Sequence, residues 1–114
     1  MTTIEQLIAQ AEPAYRRWLD SITDDVIVDN GVVALRCRDT LPERNATYEL
    51  ATYLPGYLMI GDDSGGSGFV IACNGGAGPV FLVDLGSLHE DDFTVVAPTF
   101  EQWARDGFPL PQVP

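Results

Sequence analysis

Apolar positions in the first fifth of the chain, Ile4, Leu7, Ile8, Ala11, Tyr15, Trp18, Leu19 and Ile22, recur at steps of three and four, the spacing that lays one apolar stripe along a helix. Thr3 followed three residues later by Gln6 has the form of a capping box. Pro13 suits the first turn of a second helix, so the spacing predicts two helices rather than one, with Trp18 as a core anchor. The pattern then changes to β-branched runs. Val26-Ile27-Val28 and Val32-Val33-Ala34-Leu35 flank Asn30-Gly31, a pair that tolerates the positive φ angles of a type I′ turn, and together they predict a hairpin. Thr40 and Glu43 repeat the capping-box form ahead of a short helix from Leu41 to Tyr48, and Pro55 requires extended chain before it.

Tyr57 to Ile60, Phe69 to Cys73 and Val80 to Val83 are short apolar runs separated by glycine-rich turns, the pattern of an antiparallel meander, and Thr94 to Val96 admits a further short strand. Thr99 with Gln102 caps a last helix bearing Phe100, Trp103 and Ala104, and Gly107 stands where that helix would end in a left-handed residue. No internal repeat or long linker divides the chain. The expected architecture is a single α+β domain over residues 1–114, a mostly antiparallel sheet of about five to six strands packed with N-terminal and C-terminal helices.

Composition supports a self-sufficient core, since 46% of the 114 residues are hydrophobic and 20% charged. Charge changes the picture more. Seventeen Asp and Glu face six basic residues, all arginine, for a net charge of -11. Such a surface repels phosphate backbones and anionic lipid heads and attracts basic partners, so nucleic acid and membrane are not expected partners and a basic protein is. Cys37 and Cys73 are far apart and form no metal or redox motif, so both read as core or strand residues. The N-terminal MTTIEQLIAQAEP has no basic n-region or long apolar run, and no stretch approaches the ~20 apolar residues of a membrane span, which makes a cytoplasmic location the expectation.

The loop Gly61-Asp62-Asp63-Ser64-Gly65-Gly66-Ser67-Gly68 half-matches three chemical motifs, and each fails on a physical requirement. Asp63-Ser64-Gly65-Gly66 echoes the nucleophile loop of chymotrypsin-like proteases, which needs a histidine base oriented by a buried carboxylate. The one histidine, His89, lies in the acidic stretch Leu88-His89-Glu90-Asp91-Asp92, and a small hydrolase using Ser64 and His89 is the weaker alternative. The glycine spacing of a phosphate-binding loop is present without the lysine that must reach the phosphates. A calcium loop would put glycine and apolar residues at key ligand positions. The remaining reading is a turn whose aspartates stand out into water. No cofactor, metal or catalytic residue is assigned, and Asp62, Asp63, Glu90, Asp91 and Asp92 are the candidate protein-binding residues, chosen by charge and loop position.

Taken in order, these elements resemble the SMI1/KNR4 (SUKH) superfamily. Pro13-Ala14-Tyr15-Arg16-Arg17-Trp18-Leu19 resembles its early proline, tyrosine and aromatic helix, and Leu41-Pro42-Glu43-Arg44-Asn45 its middle helix. Leu54-Pro55-Gly56-Tyr57-Leu58-Met59-Ile60-Gly61-Asp62-Asp63-Ser64-Gly65-Gly66 is similar to the central signature. Gly78-Pro79-Val80-Phe81-Leu82-Val83-Asp84 is similar to the strand that follows it, and Ala97-Pro98-Thr99-Phe100-Glu101-Gln102-Trp103 to the closing helix. One departure is a shortened region ahead of the middle helix, where many members carry a longer segment. The resemblance implies a non-catalytic domain, in bacteria commonly an immunity protein that binds a polymorphic toxin, often a nuclease. In other branches it implies a regulatory or scaffolding interaction module.

Overall fold

The computed structural model describes residues 2–28 and 31–110. Helices α1 (Ile4–Ala9) and α2 (Pro13–Asp20) lead into strands β1 (Val26–Val28) and β2 (Val33–Leu35); α3 (Leu41–Thr47) and α4 (Leu50–Tyr53) follow. Strands β3 (Tyr57–Asp62), β4 (Ser67–Ala72) and β5 (Val80–Asp84) come next. A single 3-10 turn (Glu90–Asp92), β6 (Thr94–Ala97) and α5 (Phe100–Arg105) close the chain. The six strands form one antiparallel sheet in sequence order, so each strand pairs with its chain neighbours.

Local chemistry explains most boundaries. The Thr3 hydroxyl accepts the Gln6 amide at 3.1 Å and the Gln6 side chain accepts the Thr3 amide at 2.7 Å, a complete capping box, and Pro13 opens α2. Thr99 accepts the Gln102 amide at 3.0 Å, and Gly107 ends α5 at φ +86°. Thr40 departs from expectation. Its backbone is helical, it makes no side-chain cap, and its hydroxyl donates instead to Asp25 at 2.8 Å, because the chain brings that carboxylate within reach and an ionised carboxylate is a strong acceptor for a hydroxyl. Helix α4, unforeseen in the sequence, is a single turn. In the hairpin, Val28 pairs with Val33. Gly31 is left-handed at φ +88°, and the expected Asn30 half of its turn lies outside the described residues.

The sheet is covered on both faces. On one, Val33, Leu35, Leu58, Ile60, Phe69 and Ile71 pack against α1, α2 and α5 through Ile8, Tyr15, Leu19, Phe100 and Trp103. Rings meet at close range there, Phe69 to Trp103 at 4.7 Å and Tyr15 to Phe100 at 5.0 Å, and Trp18 is half-buried beside them, at 5.6 Å from Phe100. On the other face, Met59, Val70 and Val83 meet Leu50 of α4 and Leu54 just after it, flanked by Tyr57, Phe81 and Phe93.

A bulge in β3 between Met59 and Gly61 connects the two layers. Strand β2 pairs with Gly61 and Asp62 only, so the β3 backbone at Met59 has no strand on that side. Buried Asn45 of α3 takes the place of one, accepting the Met59 amide at 2.9 Å and donating to the Met59 carbonyl at 3.0 Å. Helix α3 is thereby held at a fixed height beside the sheet, and α4 is carried over the second face.

Candidate protein-binding surface

The nominated acidic residues fall into two groups in the structure. Asp62 does not stand out into water: at 6% exposure it is buried, and its Oδ2 accepts from Arg36 Nη2 at 2.6 Å and Nε at 3.2 Å, with Arg44 Nη2 at 3.7 Å. Burying a carboxylate requires such partners, so Asp62 supports the fold rather than presenting charge. Arg36 also donates to Asp25 at 3.0 Å. Desolvation would raise the Asp25 carboxyl, but the Cys37 amide, the Thr40 hydroxyl and Arg36 outweigh it and hold it down at about 2. Asp63 is half-buried and turned into its own loop, one oxygen accepting the amides of Gly65, Gly66 and Ser67 at 2.9 to 3.1 Å. Those bonds, against an opposing desolvation, keep it ionised below the ordinary carboxylate range.

Glu90, Asp91 and Asp92 form the second group. They make up the 3-10 turn before β6 and are exposed. The Ser64 and His89 pairing is not assembled: the Ser64 hydroxyl lies 3.5 Å from the Gly31 carbonyl, while His89 Nδ1 accepts the Asp91 amide at 3.1 Å. Ser64 lines a small depression with Arg44 and Asp62, and His89 lines a different one, so the histidine and the hydroxyl do not share a site.

The depression beside His89 holds roughly 420 Å³. Its walls are Tyr48, Glu49 and Tyr53 on one side and the loop Leu85 to His89 on the other. Glu49 sits between α3 and α4 in a left-handed conformation, φ +55°, which costs a non-glycine residue roughly 1 kcal/mol and turns the chain so that α4 folds back over the sheet. Tyr53 is 57% exposed at the end of α4. Around the rim, Asp84 accepts the Gly86 amide at 2.8 Å, and the 3-10 turn follows His89. Burial first, and then the Glu90 carboxylate, push the Tyr57 hydroxyl above its ordinary value.

Charge compensation is uneven over the molecule. Arg36, Arg38 and Arg44 pair with Asp25, Asp62, Glu5 and Asp20, and Arg105 pairs with Glu101. Residues 45–104 contain eight acidic residues and no lysine or arginine. Glu49, Asp84 and the 3-10 turn therefore carry negative charge that no cation of the same segment offsets. Sequence reasoning singled out Glu90, Asp91 and Asp92 by charge and did not consider Glu49, Tyr48 and Tyr53; the signal available for them was the gap in basic residues between Arg44 and Arg105. Among the described residues, no three His, Cys, Asp or Glu side chains group as a metal site, both cysteines are free, and no helix is long and apolar enough to cross a membrane.

Residues 8–106 match the sequence model of the SMI1 / KNR4 family (SUKH-1). No curated protein matches the chain.

Proposed function

The chain belongs to the SMI1/KNR4 (SUKH-1) family, and from that premise we propose that it is a non-catalytic, cytoplasmic protein-binding domain that acts as an immunity protein, neutralising a cognate toxin with a basic active-site surface. The observation that carries the reading is the depression walled by Tyr48, Glu49 and Tyr53, where Glu49 makes no ion pair among the described residues, together with the exposed Glu90, Asp91 and Asp92 of the 3-10 turn that follows His89. A nuclease site is built to receive phosphate, and a carboxylate-rich surface competes for the same field, with attraction that steers association.

The test is co-purification with the toxin domain encoded beside the gene and assay of the toxin with and without this protein at two salt concentrations. Stoichiometric inhibition that weakens as salt rises supports the reading. Replacing Glu90, Asp91 and Asp92 with Gln and Asn then lowers affinity and flattens the salt dependence, whereas a complex indifferent to both overturns the electrostatic mechanism. A regulatory or scaffolding module is the second reading, on the family's breadth; it takes over if no complex forms and the adjacent genes encode no toxin.

A further inference from the structure

We infer that the depression walled by Tyr48, Glu49 and Tyr53 is the seat of one arginine side chain from the protein partner, and so the anchoring point of the interface. This rests on the protein-binding reading and adds to it the residue type that enters and where it enters.

Shape, charge and ring placement converge there. The cavity of roughly 420 Å³ is large enough to admit a long side chain and is bounded by the α3–α4 connection and the Leu85 to His89 loop. Two tyrosines form part of its wall. One already carries a guanidinium: Arg44 lies 5.2 Å from the centre of the Tyr48 ring and donates to its hydroxyl at 3.3 Å. The other, Tyr53, is the most exposed aromatic of the described residues and makes no ring contact of its own. An exposed tyrosine in a concavity offers a π-face at low entropic cost, and a guanidinium is the cation that stacks on it while keeping its edge donors free. Glu49 supplies a carboxylate for those donors. It is exposed, makes no ion pair among the described residues, and is held at the wall by its left-handed backbone. Arginine and tyrosine are among the residues enriched where interfaces concentrate their binding energy.

A second copy of this chain does not fit the seat, because association would bring a net charge of -11 against the same charge. The chemistry selects a basic protein.

The experiment titrates N-acetyl-arginine methylamide into the isotopically labelled full chain and follows backbone amides by NMR. The neutral isostere N-acetyl-citrulline methylamide and N-acetyl-lysine methylamide serve as comparisons. The expected result is saturable shifts confined to Glu49, Tyr53 and Leu88 to His89, strongest for arginine, absent for citrulline, lost in Tyr53→Ala and Glu49→Gln, and kept in Tyr53→Phe. Equal response to citrulline, shifts spread over every exposed carboxylate, or survival in Tyr53→Ala overturns the seat, and an equal lysine response overturns the choice of arginine. In the toxin complex, Tyr53→Ala is expected to weaken binding about tenfold to a hundredfold. A wild-type complex unaffected by Tyr53→Ala and Glu49→Gln refutes the anchor and leaves the immunity function standing, whereas failure of the wild type to bind any toxin refutes the function itself. Both side chains are exposed, so retention of the folded spectrum in each variant separates loss of binding from loss of structure.

Discussion

Asn45, Glu12 and Asp25 are polar side chains whose roles are set by what surrounds them. Asn45 is 5% exposed and exchanges two hydrogen bonds with the Met59 backbone. Asn45→Ala would leave both Met59 groups buried and unpaired, and is expected to destabilise by about 2 to 4 kcal/mol, read as a lower urea midpoint at unchanged slope. Glu12 does for α5 what a capping residue usually does from its own helix: its two oxygens accept the amides of Phe100 at 3.1 Å and Glu101 at 3.0 Å. Asp25 makes stability depend on acid. Its folded value of about 2 is below the ordinary 3.8, so its contribution is complete above 3.8 and is lost as pH falls toward 2. Solvent screening of this partly exposed carboxylate limits that contribution to about 1 kcal/mol. In Asp25→Asn, chemical denaturation at pH 6 and pH 2.5 should show a smaller acid-induced loss than in the parent; an equal loss would mean the site does not govern this window.

At the scale of elements, the helix starts written by neighbouring residues were legible and those written by distant ones were not. Thr3 with Gln6, Pro13 and Thr99 all act within one turn, and each appears where the pattern put it. Thr40 has the same local form, yet Asp25, fifteen residues earlier, takes its hydroxyl. The β3 bulge was likewise invisible, since it is a mismatch between strands and no single strand encodes it. Its packing makes a sharp prediction. A Cβ at Gly61 would collide with the Ala34 carbonyl, which is backbone and cannot move aside without breaking the β2–β3 pairing. Gly61→Ala is therefore expected to destabilise strongly, by about 3 kcal/mol or more, whereas Gly66→Ala, with nothing near its Cβ, should change the unfolding midpoint little.

Over the whole molecule, the net charge of -11 leaves most carboxylates without an arginine partner, since the ion pairs among the described residues join Arg36, Arg38, Arg44 and Arg105 to Asp25, Asp62, Glu5, Asp20 and Glu101. Partner association should accordingly slow as ionic strength rises, with the larger change in the on-rate than in the off-rate, measurable by stopped-flow mixing at low and high salt. Asp62→Asn illustrates why charge alone misleads about a binding surface. It removes a buried partner of Arg36, so any lost binding must be read against an expected stability loss of about 3 kcal/mol, while neutralising Glu90, Asp91 and Asp92 should leave stability nearly unchanged.

The sequence by itself determined the α+β class, the strand order, the capping of two helix starts, the proline that opens a third and the acidic character, because periodicity, turn chemistry and composition act over a few residues or over the chain as a sum. Tertiary structure decided which carboxylates are presented and which are enclosed. Asp62 and Glu90 look alike in sequence, but strand pairing delivers Arg36 to the first and nothing to the second, and the fold-back at Glu49 brings Tyr48 and Tyr53 opposite His89 across a cavity. Burial and partnership depend on residues distant in the chain, and they are what separates a carboxylate that holds the fold from one left exposed to solvent.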